Sequence, residues 1–201
     1  MTHAVARLRA ERIARSAKPF LARGSRSVRC PDCRLAVTHC LCAWRPRIAA
    51  QSAVCLLMHD VEALKPSNTG WLIADVLADT SAFGWSRVVV DAALPVLLND
   101  PQWQPYLVFP GEYVAAERVV SEVQPAPGKR PLFVLLDATW SEARKMFRKA
   151  PISIVCRCSA CRPNNCHATS CGAPSAMITS APPRWRRCAW SWLAISARPM
   201  A

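Results

Sequence analysis

A mixed α/β fold built on a mostly parallel sheet is what this sequence predicts, and three observations carry that expectation. Short apolar runs recur at 52–58 (SAVCLLM), 87–90 (RVVV), 106–109 (YLVF) and 132–136 (LFVLL). Helix-like stretches follow at 71–77 and 141–149, and polar clusters trail three of the runs at 59–70, 110–112 and 137–140. Runs that are apolar throughout belong to strands buried on both faces, the pattern of a parallel sheet covered by helices. Strands alternating with helices place the sheet in the α/β class, whose ligands bind beyond the carboxyl ends of the strands. The three polar clusters are therefore expected to converge.

Taken in chain order, residues 1–22 are basic and Ala-rich and read as a helix or frayed arm, within a solvated basic extension covering 1–29. Residues 30–42 are too short to hold a core and read as a metal-pinned knuckle. The run 52–58 supplies the first strand, 59–70 a loop and 71–77 a helix. The runs 87–90 and 106–109 supply further strands, the second ending in Pro110 and Gly111. The run 132–136 is the strongest strand candidate and leads directly into Asp137 and the helix 141–149.

The chain has 201 residues and a formal charge of +13. That length suits one core with a small satellite module. No run approaches eighteen apolar residues, and the N-terminus lacks the apolar segment of a signal peptide. A soluble, cytoplasmic protein is expected, with no membrane and no protein partner. Positive charge favours polyanions through counterion release, so nucleic acid is the partner to suspect.

Eleven cysteines without a secretory signal point to metal rather than disulfides. Cys30, Cys33, Cys40 and Cys42 offer four thiolates in a tight group, enough for a tetrahedral structural zinc site. His39 could compete as a ligand. Cys55, inside an apolar run, reads as an inert core residue. The segment holding His59, Glu62, Lys65, Asn68 and Thr69 offers an imidazole, a carboxylate, an ammonium and an amide. Such groups could hold a zwitterionic amino-acid moiety or a phosphate, or form an ordinary polar loop of turn residues. Glu112, after Pro110 and Gly111, could anchor a ligand or be a surface carboxylate. Asp137 could be a base aimed into a cleft or an N-cap. Trp140 could stack on a base or pack against the sheet. Arg144, Lys145, Arg148 and Lys149 form a basic helical face that could meet phosphate.

Residues 152–201 contain no Asp, Glu or Lys, although all thirteen acidic residues lie before them. Their Arg, Cys, Trp, Pro and Ser follow neither strand nor helix period. A frameshift accounts for this: with one nucleotide deleted after the Pro151 codon, the restored frame permits a string with mixed charge and a helical apolar period. On this reading 152–201 is an out-of-frame, disordered tail, and its six cysteines are not metal ligands. Removing its six arginines leaves a net charge of +7. The reading predicts a one-base deletion in the coding DNA, and a resequenced gene that still encodes this tail would overturn it.

Together, the CxxC…CxC knuckle, the HxxE…KxxNTG segment, the FPGE turn and DATW-SEARKM resemble, in that order, the DTW-domain family of tRNA-uridine aminocarboxypropyltransferases. The restored-frame stretches SRYQLRRA and CTAEVAAL resemble the family's continuation. The resemblance implies a SPOUT-like α/β fold with S-adenosylmethionine as donor, its C-terminal part missing here. It implies a catalytic domain over 30–151 that includes the zinc knuckle. The implied reaction moves the 3-amino-3-carboxypropyl group to a uridine ring nitrogen in tRNA and releases methylthioadenosine. Asp137 is then the candidate base, with Thr139 and Trp140 shaping its pocket. His59, Glu62, Lys65, Asn68, Thr69, Pro110, Gly111 and Glu112 would hold cofactor or uridine. Asp60 stands where the family usually has proline and Trp71 where a basic residue is common. The alternative is a non-enzymatic, zinc-dependent RNA-binding protein. It needs no donor pocket, so calorimetry with S-adenosylmethionine separates the two.

Overall fold

A computed structural model of the chain describes residues 3–21, 27–149 and 157–160. Its described strands are β1 (Ala53–Met58), β2 (Thr80–Gly84), β3 (Trp103–Phe109), β4 (Val119–Val120), β5 (Arg130–Asp137) and β6 (Arg157–Ala160). They form one sheet in the order β2-β1-β5-β3-β6-β4, and every neighbouring pair is parallel. The described helices are α1 (Ala4–Ala14), α2 (Thr69–Val76), α3 (Ala93–Asn99) and α4 (Trp140–Lys149). The expected mixed α/β fold with a parallel sheet and a small cysteine knuckle is the one observed.

Alternation along the strands divides the core into two layers. Ala53, Cys55 and Leu57 of β1 join Leu132, Val134 and Leu136 of β5 under Leu94 and Leu98 of α3 and Ala143 and Met146 of α4. Val54, Leu56 and Met58 turn the other way, with Phe133 and Leu135, under Val5 of α1 and Trp71, Ile73 and Ala74 of α2. All six residues of β1 are buried because both faces are covered, which is why it reads as a continuous apolar run. Cys55 is one of these core residues.

Four expectations need correcting. The run 87–90 (RVVV) forms no strand: Val88 is 91% exposed, and Ser86 Oγ accepts hydrogen bonds from Val88 N and Val89 N, donors that a ladder would require. The strand in this region is β2, whose five residues are half-buried or exposed at the sheet edge and so carry no apolar run. Residues 1–29 are not simply a solvated extension either. Val5 is fully buried, and α1 lies across β2 and α2, its start capped by His3 Nδ1 accepting from Ala6 N at 3.2 Å. The short helix α3 had no expected counterpart. Finally, β6 lies within 152–201 yet pairs with β3 and β4, so an entirely disordered tail does not hold for its four residues. The rest of the tail lies outside the described residues, and the frameshift stays a proposal about the gene.

The sheet order also locates the site. After β1 the chain moves outward to β2, whereas after β5 it moves the opposite way, to β6 beyond β3. Adjacent strands whose connections diverge leave a crevice at their carboxyl ends, the usual ligand position in open α/β sheets. Met58, the last residue of β1, pairs with Asp137, the last of β5.

Candidate functional site at the carboxyl ends of β1 and β5

Asp137 ends β5 with its carboxylate on the α1/α2 side of the sheet. Asn68 Nδ2 donates to Asp137 Oδ2 at 2.7 Å, while Asn68 Oδ1 accepts from Trp71 N at 2.9 Å and so caps α2. One amide thereby starts a helix and grips the carboxylate. Gly70 completes the cradle: a Cβ built there would stand 2.7 Å from Asp137 Oδ2 and 3.1 Å from Leu56 Cδ1. Any side chain at 70 forces the carboxylate to move.

Burial pushes the Asp137 carboxyl up to about 6, the Asn68 hydrogen bond opposes it, and the charge of nearby Glu62 adds to it. Glu62 is itself buried and ion-pairs with Lys65 across a 3-10 turn, Glu62–Leu64. A carboxyl raised by burial at a strand end makes Asp137 a candidate for a functional site.

Asp137 is not the helix cap. Thr139 precedes α4, and its backbone N donates to Glu142 Oε2 at 3.0 Å, with the Thr139 hydroxyl on the same oxygen. Glu142 thus supplies one of the two reciprocal bonds of a capping box, the one to the N-cap backbone N–H. The other oxygen, Glu142 Oε1, lies 3.4 Å from His59 Nδ1. Burial raises the Glu142 carboxyl, but the Thr139 hydrogen bonds and the charges of His59 and Lys65 outweigh it and leave the acid below its ordinary range. His59 is fixed twice more, by its backbone N donating to Asp137 O at 2.9 Å and by stacking on Trp85 at 5.6 Å.

The third polar cluster joins through rings. Trp140 stacks on Phe109 at 5.7 Å and meets Tyr113 edge-on at 5.5 Å, and Tyr113 carries Arg144 over its face at 5.0 Å. Trp140 therefore packs beside the sheet end. Pro110, Gly111 and Glu112 form the turn after β3, Glu112 is exposed, and none of the hydrogen bonds just described reaches it. Of the residues singled out from the sequence, His59, Glu62, Lys65, Asn68, Asp137 and Thr139 form one network, bounded by Thr69 and Trp140. Trp85, Glu142 and the close approach at Gly70 were missed. Spacing could have flagged only Glu142, through the T-x-x-E box that it forms with Thr139.

The knuckle sits behind α2. The Sγ atoms of Cys30, Cys33, Cys40 and Cys42 lie within 4.8 Å of one another, with Cys30 to Cys42 at 3.6 Å and Cys33 to Cys40 at 3.8 Å. A tetrahedron with Zn–S bonds of ~2.3 Å has edges of about 3.8 Å, so the thiols already stand at zinc-binding separation. Backbone N–H groups of Cys33 and Asp32 pull the Cys30 thiol down to about 7, while burial and the neighbouring thiols push Cys42 up to about 12. A divalent cation at the centre would relieve that crowding. His39 pairs with the Thr38 hydroxyl and is not in the cluster. Arg34 takes a left-handed φ of 64° in the knuckle's turn.

Trp71 and Asp75 of α2 hold the knuckle. Trp71 Nε1 donates to Asp32 O at 2.9 Å, and Arg45 bridges Asp75 Oδ1 at 2.6 Å and Cys42 Sγ at 3.2 Å. His3 joins them with Nε2 3.3 Å from Asp75 Oδ1, and burial together with Arg45 lowers its imidazole to about 4. The indole at 71 thus has a structural account. So does Asp60, whose carboxylate takes a two-point grip from Arg12 of α1 at 2.7 and 2.9 Å.

Sheet, crevice and knuckle define a parallel α/β protein with a buried carboxylate at a strand end and a cluster of four cysteines that could hold a metal ion, consistent with zinc. The family model for the DTW domain matches residues 27–169, and the chain belongs to that family. The match passes residue 152, so the change in composition there is not where the family likeness stops. Membership is consistent with a tRNA-modifying enzyme. No solved structure matches the chain. Among the described residues no helix is long and apolar enough to cross a membrane.

Proposed function

We propose that the chain transfers the 3-amino-3-carboxypropyl group of S-adenosylmethionine to a uridine ring nitrogen in tRNA. The observation that carries this reading is the Asp137 carboxyl, raised to about 6 by burial and held by Asn68 over Gly70 at the diverging strand ends of a DTW-family chain. A uridine imide is a weak acid, and a base held in place takes its proton as the nitrogen attacks. Asp137 accepts that proton, the N–C bond forms, and the C–S bond breaks with its electron pair passing to sulfur. The sulfonium then leaves as neutral methylthioadenosine. Asn68 aims the carboxylate, and Glu62 with Lys65 offers one charge of each sign, which suits the zwitterionic end of the donor. The four-cysteine centre stands behind α2 and supplies rigidity rather than chemistry.

Incubation of the full chain with tRNA and S-adenosylmethionine, followed by chromatography of methylthioadenosine, tests the reading. Asp137→Asn should lower the rate by about 10²- to 10⁴-fold, the range of one general base. An Asn variant releasing methylthioadenosine at the parental rate would remove Asp137 from this role.

A further inference from the structure

A cavity of about 280 Å³ opens beside this site, between α1 and the ends of β1 and β2. Leu8, Met58 and Ala63 line its apolar part, His59 and Trp85 its aromatic side, and Arg12 and Arg15 its rim. Register fixes its distance from the base: Met58 pairs with Asp137 on one side and Gly84 on the other. Strands stand ~4.8 Å apart, so the pocket begins one strand away from Asp137.

Three features specify a ligand. The volume falls just under the ~300 Å³ at which small-molecule sites begin, which suits one nucleoside. Trp85 is held by its backbone N donating to Met58 O at 2.7 Å and by the stack with His59, so it presents a fixed ring. Glu142 faces His59 Nδ1, which leaves Nε2 as the ring nitrogen for a ligand. At the rim Asp60 pairs with Arg12 and also lies in the field of the exposed Arg15, so two guanidiniums against one carboxylate leave a net charge of +1.

We propose that this pocket receives an unpaired RNA nucleotide neighbouring the acceptor uridine, its base against Trp85 and its phosphate on Arg15. The inference deepens the transfer reading by supplying the RNA side of the same site, and it rests on that reading for the word acceptor. A phosphodiester suits the rim better than S-adenosylmethionine does, because the donor is itself a net cation. The asymmetry also assigns α1 a function: it carries the phosphate contact while Arg12 and Asp60 clamp it to the end of β1.

Fluorescence anisotropy of labelled pentauridylate with the full chain, over a series of KCl concentrations, tests this. Trp85→Ala should weaken binding about 5- to 150-fold, the measure of one base stack, and Trp85→Phe should restore most of it. Arg15→Ala, on an exposed helix rim where folding is not at stake, should reduce the slope of log K against log salt by about 0.7. Lys129→Ala, at the opposite end of the sheet, should leave the affinity unchanged. Equal effects of Arg15→Ala and Lys129→Ala would mean diffuse attraction and overturn the proposal. Displacement of pentauridylate by S-adenosylmethionine would overturn it too, by making the pocket the donor's own. Binding that depends on Trp85 and Arg15, with no methylthioadenosine formed, supports the pocket and removes the transfer reading. Transfer to tRNA at parental kcat/KM in both variants removes the pocket and leaves transfer standing.

Discussion

Between residues 30 and 42 only Cys33 is buried, whereas every residue of β1 is. The knuckle and the sheet meet at α2, yet they are held by different forces. Burying one Leu, Val or Met side chain contributes ~1.5–3 kcal/mol, and β1, β3 and β5 bury many of them. The knuckle buries almost nothing, and a structural zinc bound by its four thiolates would contribute an apparent ~10–16 kcal/mol instead. The candidate site therefore rests on two unlike supports. Strand ends place Asp137, and the four-cysteine knuckle backs the helix whose cap grips it.

Separating those supports is the largest test. Replacing Cys33 and Cys40 with Ser should abolish zinc binding, read by elemental mass spectrometry. Amide exchange should then lose protection across 28–48 while 53–58 and 130–137 keep theirs. Collapse of the sheet in the same variant would show that the two regions form a single cooperative unit.

The second test is titration of the sheet-held carboxyl. Asp137 is raised in the folded chain, so the folded state holds its proton longer than the unfolded one. Its contribution to stability is full below its unfolded value near 3.9 and is lost as pH rises through about 6. Activity should move oppositely, with kcat/KM rising through an apparent pKa near 6 and levelling above it, because the base must be free. Asp137→Asn should flatten the stability change across that window, measured as melting midpoint against pH.

Gly70→Ala probes the contact between the two regions. The added methyl meets Asp137 Oδ2, and overpacking of this kind costs ~1–3 kcal/mol. Transfer should fall more than stability does, and zinc content should stay at the parental level. The smallest effect is expected from Trp71→Phe. It deletes the hydrogen bond to Asp32 O and keeps the aromatic packing, so ~0.5–1.5 kcal/mol should be lost, with faster zinc release to a chelator.

Much of the frame was readable beforehand. β1 and β5 announce themselves as apolar runs because both faces are covered, and α4 places Ala143 and Met146 inward while Arg144, Lys145, Arg148 and Lys149 stay exposed. The cysteine spacing identified the four thiols that the fold brings together. The runs misled where burial was one-sided or absent: β2, half-covered at an edge, has no apolar signature, and the valines at 88–90 have one without a strand. Trp85 and Gly70 were invisible because their roles lie in contacts with His59 and Asp137, far along the chain.

The features legible without coordinates are therefore local or periodic: the strands buried on both faces, the four thiols, and the polar residues that follow β1, β3 and β5. Tertiary structure alone decided which of those polar groups meet, through the order β2-β1-β5-β3, which sets Met58 between Gly84 and Asp137. It also decided that α1 closes a pocket rather than trailing in solvent. Periodicity records which side of an element is buried, whereas the identity of the neighbour across the sheet depends on the path the whole chain takes.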